Sequence, residues 1–378
     1  MRIALVYDCL YPHTIGGAER WYRSLAERLA GAGHDVTYLT MRQWERGETP
    51  AVTGVEVVAV GPRLGLYSNG RRRILPPLVF GGGVFFHLLL RGRRYDAVHT
   101  ASFPYFSLLA AAAVRPIQRF RLVVDWVELW TRDYWREYLG PAGAIGWWVQ
   151  RLCARTRHRA FAFSRLHANR LSALGFRGEV TVLSGLYAGG PKSSPAETAE
   201  PVIVFAGRHI PEKRVPALIP AFARARKRIP DLRLEIFGDG PDRPEVLRLI
   251  EASVLDGSVE TPGFVPGERV EAALRRALCL VLPSRREGYG LAVVEASALG
   301  TPSVVVRDPD NAAVDLVEDG VNGVIAASAE PDELAAAILR VNDLGGELRA
   351  STRDWYRRNA MRLSIDSSLE RVLAAYKE

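Results

Sequence analysis

Two glutamates in the C-terminal half bracket a glycine-containing segment. Glu287 should lie in a loop that follows a strand, and Glu295 about one turn inside the next helix. Amides at a helix N-terminus attract anions, and a carboxylate can accept hydrogen bonds from two sugar hydroxyls. The segment therefore predicts a site for an anion that carries hydroxyl groups, unless the glutamates merely cap amides and face solvent. The residues that line this predicted site are Gly288, Tyr289, Gly290 and Leu291.

Two cations follow the first strand predicted in the same half. Arg208 and Lys213 come directly after Val202–Ala206, and Lys213 is one of only four lysines among fifty basic residues. Fixed cations at the carboxyl end of a strand could neutralise charge that develops on a departing diphosphate. A surface ion pair between Lys213 and Glu212 is the alternative interpretation.

Paired glycines lie between the first predicted strand and the first predicted helix. Gly16 and Gly17 would let backbone approach a phosphate or a sugar. The third glycine of a dinucleotide-binding fingerprint is missing, and no acidic residue clearly ends the second strand near Thr40. The loop therefore gives little support to a nicotinamide cofactor.

Runs typical of buried strands alternate with helix-length segments along the whole chain, and the pattern restarts after a polar stretch near residues 186–200. It predicts two Rossmann-like, doubly wound parallel-sheet domains that face a central cleft, because ligands bind beyond the carboxyl ends of such strands. We place the domains at 1–190 and 200–356. The longest apolar stretch, residues 74–90, is broken by prolines and glycines, which predicts a loop followed by a core helix, with contact at a membrane interface as the alternative.

Charge divides unevenly between the halves. Residues 1–195 carry 26 Lys and Arg against 13 Asp and Glu, and the remainder carries 24 against 29. The basic surplus suits an anionic acceptor or membrane surface, or is simply a solvated basic face, and we expect no nucleic-acid partner. Three dispersed cysteines and an N-terminus without a secretory pattern predict a cytoplasmic protein, in peripheral contact with the inner face of the membrane if the basic face binds lipid.

Together these segments resemble the family 4 glycosyltransferases of the two-Rossmann-domain type called GT-B. The resemblance covers nearly the whole chain and rests on the order and spacing of five segments. They are Gly16-Gly17-Ala18-Glu19, Gly207-Arg208 followed by Lys213, Gly263-Phe264-Val265, Glu287 with Glu295, and Asp319-Gly-Val-Asn-Gly323.

The resemblance implies a role for each donor-side residue. Arg208 and Lys213 would hold the donor diphosphate, with Gly16 and Gly17 approaching it from the first domain. Glu295 would bind ribose, Glu287 would bind the donor sugar, and backbone near Val265 would bind the base. Arg208, Lys213 and Glu287 would form the catalytic set. The resemblance also implies that a C-terminal helix, residues 357–378, crosses back to the first domain.

One position departs from the family pattern. Val127 stands where many members have a histidine, which removes a general base near the acceptor. The nearest substitutes are Asp125 and Glu128, each of them structural or acceptor-orienting, and Tyr134 could offer an aromatic face to a sugar or pack in the core. Front-face transfer needs little help from a base, because the departing phosphate can take the proton.

The sequence therefore predicts a retaining, metal-independent transferase without a cofactor. Its donor would be a UDP- or GDP-linked sugar, and its acceptor a small molecule or a lipid- or glycan-linked sugar. A sugar-nucleotide epimerase or phosphorylase on the same fold is one alternative, and a catalytically silent binding or scaffold protein is another. The one Asp-x-Asp string, Asp308-Pro309-Asp310, is interpreted as a turn rather than a metal site.

Overall fold

The computed structural model describes residues 1–48, 50–68, 71–189, 199–255 and 257–377. The chain divides into two compact units: unit 1 comprises Met1–Ala188 and Ile365–Glu378, and unit 2 comprises Gly189–Ser364. Each unit is built on its own parallel sheet, as the alternating pattern predicts. Residues 190–198 of the predicted linker lie outside the described residues.

The first stretch of unit 1 alternates strands and helices. Its elements are β1 (Arg2–Val6), α1 (Gly17–Gly31), β2 (Asp35–Met41), β3 (Val55–Gly61), β4 (Tyr67–Ser68), β5 (Arg71–Arg72), α2 (Leu75–Arg91), β6 (Ala97–Ala101), α3 (Phe106–Gln118), β7 (Arg121–Trp126), α4 (Arg132–Leu139), α5 (Gly143–Arg155), β8 (Arg159–Ala162), α6 (Arg165–Ala173) and β9 (Val180–Val182). Seven parallel strands lie in the order β3-β2-β1-β6-β7-β8-β9. The order changes direction between β1 and β6, which is the switch point at which such sheets bind ligands.

Unit 2 repeats the arrangement with six parallel strands. Its elements are β10 (Val202–Ala206), α7 (Val215–Arg226), β11 (Arg233–Phe237), α8 (Arg243–Ala252), β12 (Val259–Gly263), α9 (Gly267–Arg276), β13 (Cys279–Leu282), β14 (Arg286–Glu287), α10 (Leu291–Ala298), β15 (Ser303–Val306), β16 (Asp310–Asn311), β17 (Gly323–Ala326) and α11 (Pro331–Leu363). The sheet order is β12-β11-β10-β13-β15-β17, and β14 pairs with β16 outside it. The sequence of strand β12, VETPG, lacks an apolar run, so the alternation of apolar runs does not identify this strand.

The last helix, α12 (Ile365–Lys377), belongs to unit 1 although it follows unit 2 in the chain. It begins later than the predicted residue 357, because 357–363 continue α11. Tyr376 on α12 is fully buried, and its hydroxyl lies 2.7 Å from Nδ1 of His99 on β6. This contact joins the helix to the centre of the unit 1 sheet.

Alternate residues of the unit 1 strands face two different helical layers, as the period of a strand requires. On one side Leu122 and Val124 of β7 join a hydrophobic cluster with residues of α2, α3 and α5. On the other side Asp125 accepts a hydrogen bond from the Trp21 indole of α1 and lies 2.8 Å from His99. The sheet is therefore covered on both faces.

Helix α2 corrects one prediction. The loop expected at the start of the 74–90 stretch is helical from Leu75, because Pro76 and Pro77 occupy the first turn, where backbone N–H groups have no partner inside the helix and the N–H that proline lacks is not needed. A Cβ at Gly83 would lie 1.8 Å from the Val60 carbonyl oxygen, so this glycine lets the helix approach β3 closely. By length and hydropathy alone, residues 75–94 could also cross a membrane. Of an apolar 18-residue stretch within them, 39% is buried in the protein.

Candidate functional site

The loop after β13 holds Glu287 in a fixed position. Ser284 donates from Oγ to Glu287 Oε1 at 2.8 Å, and the Asn311 side-chain amide donates to the Ser284 carbonyl at 3.1 Å. The pairing of β14 with β16 sets Glu287 beside Asn311. The carboxylate is nearly buried, with 11% of its side-chain surface exposed. The loop is thus a built structure rather than a flexible surface turn.

Lys213 reaches the same carboxylate. It ends a short 3-10 turn, Pro211–Lys213, and its ammonium lies 2.5 Å from Glu287 Oε1. Backbone strengthens the contact, because the amide of Arg285 donates to the carbonyl of Glu212 at 2.9 Å. Two segments that the sequence singled out separately therefore form one cluster. An ammonium has three N–H donors, so one bond to Glu287 leaves two for an anion.

Gly290 begins α10 in a conformation that suits glycine. Its φ is +100°, and an added Cβ would lie 2.5 Å from the Cβ of Ala313. Gly288 and Tyr289 are buried, and Leu291 is half-buried at the first helical position. Glu295 is half-buried one turn inside the helix, as predicted.

Arg208 and Val265 lie at the same edge of the unit 2 sheet. The ends of three strands are in register there, with Ala206 opposite Phe237 and Phe237 opposite Gly263. Arg208 is exposed two residues after β10, and Val265 is half-buried two residues after β12. All the predicted donor residues of unit 2 therefore follow carboxyl ends of its strands.

His209 is a buried residue of this edge that the sequence reasoning passed over. Its amide donates to the Asp239 carbonyl at 2.9 Å, and its own carbonyl accepts from the Asp242 amide at 3.0 Å. Burial, assisted by the nearby Arg243 charge, lowers the imidazole pKa, so the ring is neutral at pH 7. A single histidine after an arginine carries no spacing signal, which is why the pattern could not identify it.

In unit 1, Gly16 and Gly17 lie at the N-terminus of α1. Gly16 is extended, and a Cβ there would meet a carboxylate oxygen of the buried Glu19 at 2.3 Å. Gly17 has open space around its Cα. The pair follows the carboxyl end of β1, the strand beside the switch point of its sheet.

The acceptor candidates fare differently. Asp125 is fully buried and both of its oxygens are engaged, one with Trp21 and one with His99, so the structural alternative is favoured over acceptor contact. Glu128 is half-buried and accepts from the Trp130 indole at 3.2 Å. Tyr134 is 7% exposed and packs edge-on against Trp130, which favours packing. Val127 is half-buried.

The Asp-x-Asp string is held by arginines. Asp308 pairs with Arg214 at 3.3 Å, and Asp310 pairs with Arg286 at 3.2 Å. The Asp310 amide also donates to the Asp308 side chain, as in a turn. Across the described ranges, no three His, Cys, Asp or Glu side chains converge as metal ligands would.

Known families match both units. The family described as "Glycosyl transferases group 1" matches residues 191–358, and "Glycosyl transferase 4-like domain" matches residues 16–185. The α-D-kanosaminyltransferase of Streptomyces kanamyceticus is 33% identical over 38% of this chain and 36% of its own length. A D-inositol 3-phosphate glycosyltransferase of Salinispora arenicola is 34% identical over 47% of this chain and 41% of its own. The chain thus spans well under half of these curated relatives.

Solved structures share the whole fold. Anabaena Alr3699/HepE, in complex with UDP, superimposes with a TM-score of 0.76 and 19% identity, covering all of both chains. At this identity the likeness concerns the fold. Combined with the two family matches, which lie on either side of residues 186–190, it identifies the architecture of both units. The chain belongs to the family 4 glycosyltransferases with the GT-B fold.

Proposed function

We propose that this protein is a retaining glycosyltransferase that moves a sugar from a nucleotide-diphosphate sugar to an acceptor hydroxyl. The observation that carries the proposal is the contact of the Lys213 ammonium with Glu287, at the carboxyl edge of the unit 2 sheet. A cation for a diphosphate and a carboxylate for sugar hydroxyls are then side by side. Support comes from the glycosyl transfer for which the relatives are named and from UDP in the Anabaena structure.

Each residue has a part in donor binding. The two remaining donors of Lys213, with the guanidinium of Arg208, would neutralise the diphosphate as its bond to the sugar breaks. Both described partners of Glu287 bind Oε1, so Oε2 is available for a donor-sugar hydroxyl. Glu295 would accept from ribose, and backbone near Val265 would bind the base. The N-terminus of α10 adds amides that favour the same anion.

Transfer would proceed on the front face of the sugar and without a metal. Because Lys213 and Arg208 supply the positive charge that the leaving diphosphate needs, we expect activity to persist in EDTA. The departing phosphate would take the proton of the acceptor hydroxyl, which is consistent with Val127 at a position where many members have a histidine. Retention would appear as an unchanged anomeric configuration in the NMR spectrum of the product.

The first experiment is a thermal-shift screen of UDP, GDP and ADP sugars. A ligand at a hundred times its dissociation constant stabilises the folded chain by about 2.7 kcal/mol. The double variant Lys213→Ala, Glu287→Ala should lose both this shift and transfer activity, while Lys227→Ala, which changes an exposed lysine at the C-cap of α7, should keep both. Full transfer activity in the double variant would refute the proposed site.

The same assay tests the alternatives. Turnover of the nucleotide sugar with phosphate or water, but without acceptor, would indicate a phosphorylase or an epimerase-like enzyme. A chain that no nucleotide diphosphate stabilises would indicate a silent scaffold.

A further inference from the structure

The outer surface of helices α2, α3 and α5 exposes large apolar side chains. Fourteen such side chains are exposed in the described part of the chain, and nine of them lie on or next to these three helices. Monomeric proteins seldom expose large contiguous apolar patches without a partner. We call the nine residues the apolar face: Ile74, Leu75, Leu78, Phe86, Leu90, Ile117, Ile145, Trp148 and Leu152.

The spacing shows that the exposure is organised. Leu78, Phe86 and Leu90 recur at helical intervals along α2, on the side opposite its buried Phe80 and Val84. On α5 a second stripe runs through Ile145, Trp148 and Leu152. Buried residues of all three helices join the same hydrophobic cluster on one face of the unit 1 sheet. Their outer sides therefore form one layer.

The charge of this layer has a single sign. Helices α2, α3 and α5 contain no aspartate or glutamate, whereas they carry four arginines, Arg91, Arg115, Arg151 and Arg155. The Arg151 guanidinium lies 5.2 Å from the centre of the Trp148 ring. Next to α2 and α3, a hollow of about 520 Å³ is lined by Arg93, Arg119, Arg121 and Lys377, with Asp96 as its one acid.

We propose that the apolar face docks the protein on an anionic lipid bilayer. Apolar side chains would enter the region between headgroups and acyl chains, while the arginines would contact lipid phosphates. A second copy of the chain would bring arginines against arginines, with no carboxylate on these helices to pair them. Because the inner side of α2 is part of the protein core, the helix would lie on the membrane rather than cross it.

This inference goes beyond the proposed function and does not depend on it. A vesicle contains no nucleotide sugar, so membrane binding and donor binding are measured separately. A failure of the vesicle experiment would refute membrane binding only, because the nucleotide-induced thermal shift tests donor binding separately.

The test is co-sedimentation of the full chain with vesicles. One set consists of phosphatidylcholine alone, and the other of equal parts phosphatidylcholine and phosphatidylglycerol. We expect binding to the anionic vesicles that weakens with added salt. The triple variant Phe86→Ser, Leu90→Ser, Trp148→Ser should lose at least about tenfold in affinity, since each buried apolar group contributes to partitioning. Each of Arg151→Gln and Arg155→Gln should reduce affinity about fivefold.

A matched control changes three exposed apolar residues of unit 2. The variant Leu247→Ser, Val254→Ser, Met361→Ser should bind vesicles as the unaltered chain does. Both triple variants should keep the melting temperature of the unaltered chain, which reports that they are folded. Absence of binding to anionic vesicles would overturn the proposal, and so would unchanged binding in the Phe86 variant. Concentration-dependent self-association abolished by the same three changes would instead assign the face to a second copy.

Discussion

Glu287 accepts two hydrogen bonds on Oε1, from Lys213 and Ser284. Its second oxygen, Oε2, accepts none from the residues that the structure describes. Ser284 and Lys213 thus orient the carboxylate without filling it. The serine fixes the rotamer from within its own loop, whereas the lysine approaches from the turn after β10. At the scale of single residues, the proposed donor site depends on this division of roles.

Removing the serine hydroxyl should weaken donor binding through Glu287. We expect Ser284→Ala to lower kcat/KM for the nucleotide sugar by at least about tenfold, since a hydrogen bond to a charged group contributes about 1.5 to 3 kcal/mol. Combined with Glu287→Gln, the serine change should add little further loss, because the two residues act as a unit. Independent, additive losses in steady-state kinetics would contradict this coupling.

The sequence identified Glu287, Lys213 and Gly290 correctly as neighbours of strand ends, but it could not predict their contact. The distance between Lys213 and Glu287 depends on β14 and β16, strands of two residues each that carry no readable period. It also depends on Asn311, whose amide holds the Ser284 carbonyl from 27 residues away. Asp125 is the opposite case. As a carboxylate near the acceptor position it was a candidate for chemistry, but in the structure it is buried and its oxygens contact Trp21 and His99.

Among the elements, α10 depends on Gly290, the residue that caps its N-terminus. Gly290→Ala should destabilise unit 2 by about 1 to 3 kcal/mol, because alanine at a φ of +100° is strained and its Cβ would meet Ala313. The nucleotide-induced thermal shift should shrink at the same time. Gly82→Ala is the control, since that glycine lies inside helix α2 with open space around it and alanine favours the helix. Equal melting temperatures for the two variants would contradict the strain.

His158 lies in the short connection between α5 and β8, and its pKa differs between the folded and the unfolded chain. Trp126 donates its indole N–H to His158 Nε2 at 3.1 Å, and burial lowers the imidazole pKa to about 4. Because the pKa in the unfolded chain is higher, near 6.5, the unfolded state takes up a proton first as the pH falls. Stability that is complete above pH 6.5 should therefore decline down to about pH 4.

Urea denaturation measures this decline. From pH 7 to pH 5 the free energy of unfolding should fall by about 2 kcal/mol more in the unaltered chain than in His158→Gln, which keeps an acceptor but does not titrate. Parallel pH profiles for the two proteins would show that His158 is not responsible.

At the scale of the whole molecule, the strand alternation of the sequence was sufficient to predict two parallel sheets, and the structure confirms them. The position of α2 was predicted less well, because prolines and glycines that usually break helices here occupy a first turn and a close packing contact. Tertiary packing determines the conformation of these prolines and glycines, and the pattern of residue types along the chain does not report tertiary packing.

Removal of α12 should destabilise unit 1, to which the helix belongs, rather than unit 2, which directly precedes it in the chain. A chain that ends at Ser364 loses the buried Tyr376 and leaves His99 without its hydroxyl partner. Hydrogen exchange should then accelerate in α1 and β7, which pack against α12, and remain slow in the unit 2 sheet. Faster exchange in β10 and β13 instead would show that the helix supports unit 2.

The return of α12 also sets an order of events during protein synthesis. Residues 1–188 of unit 1 leave the ribosome before unit 2, yet residues 365–377 are made only after unit 2. Domains generally fold as units while the chain emerges. Unit 2 can therefore finish folding first, and unit 1 must wait with part of its interior uncovered until the last helix arrives.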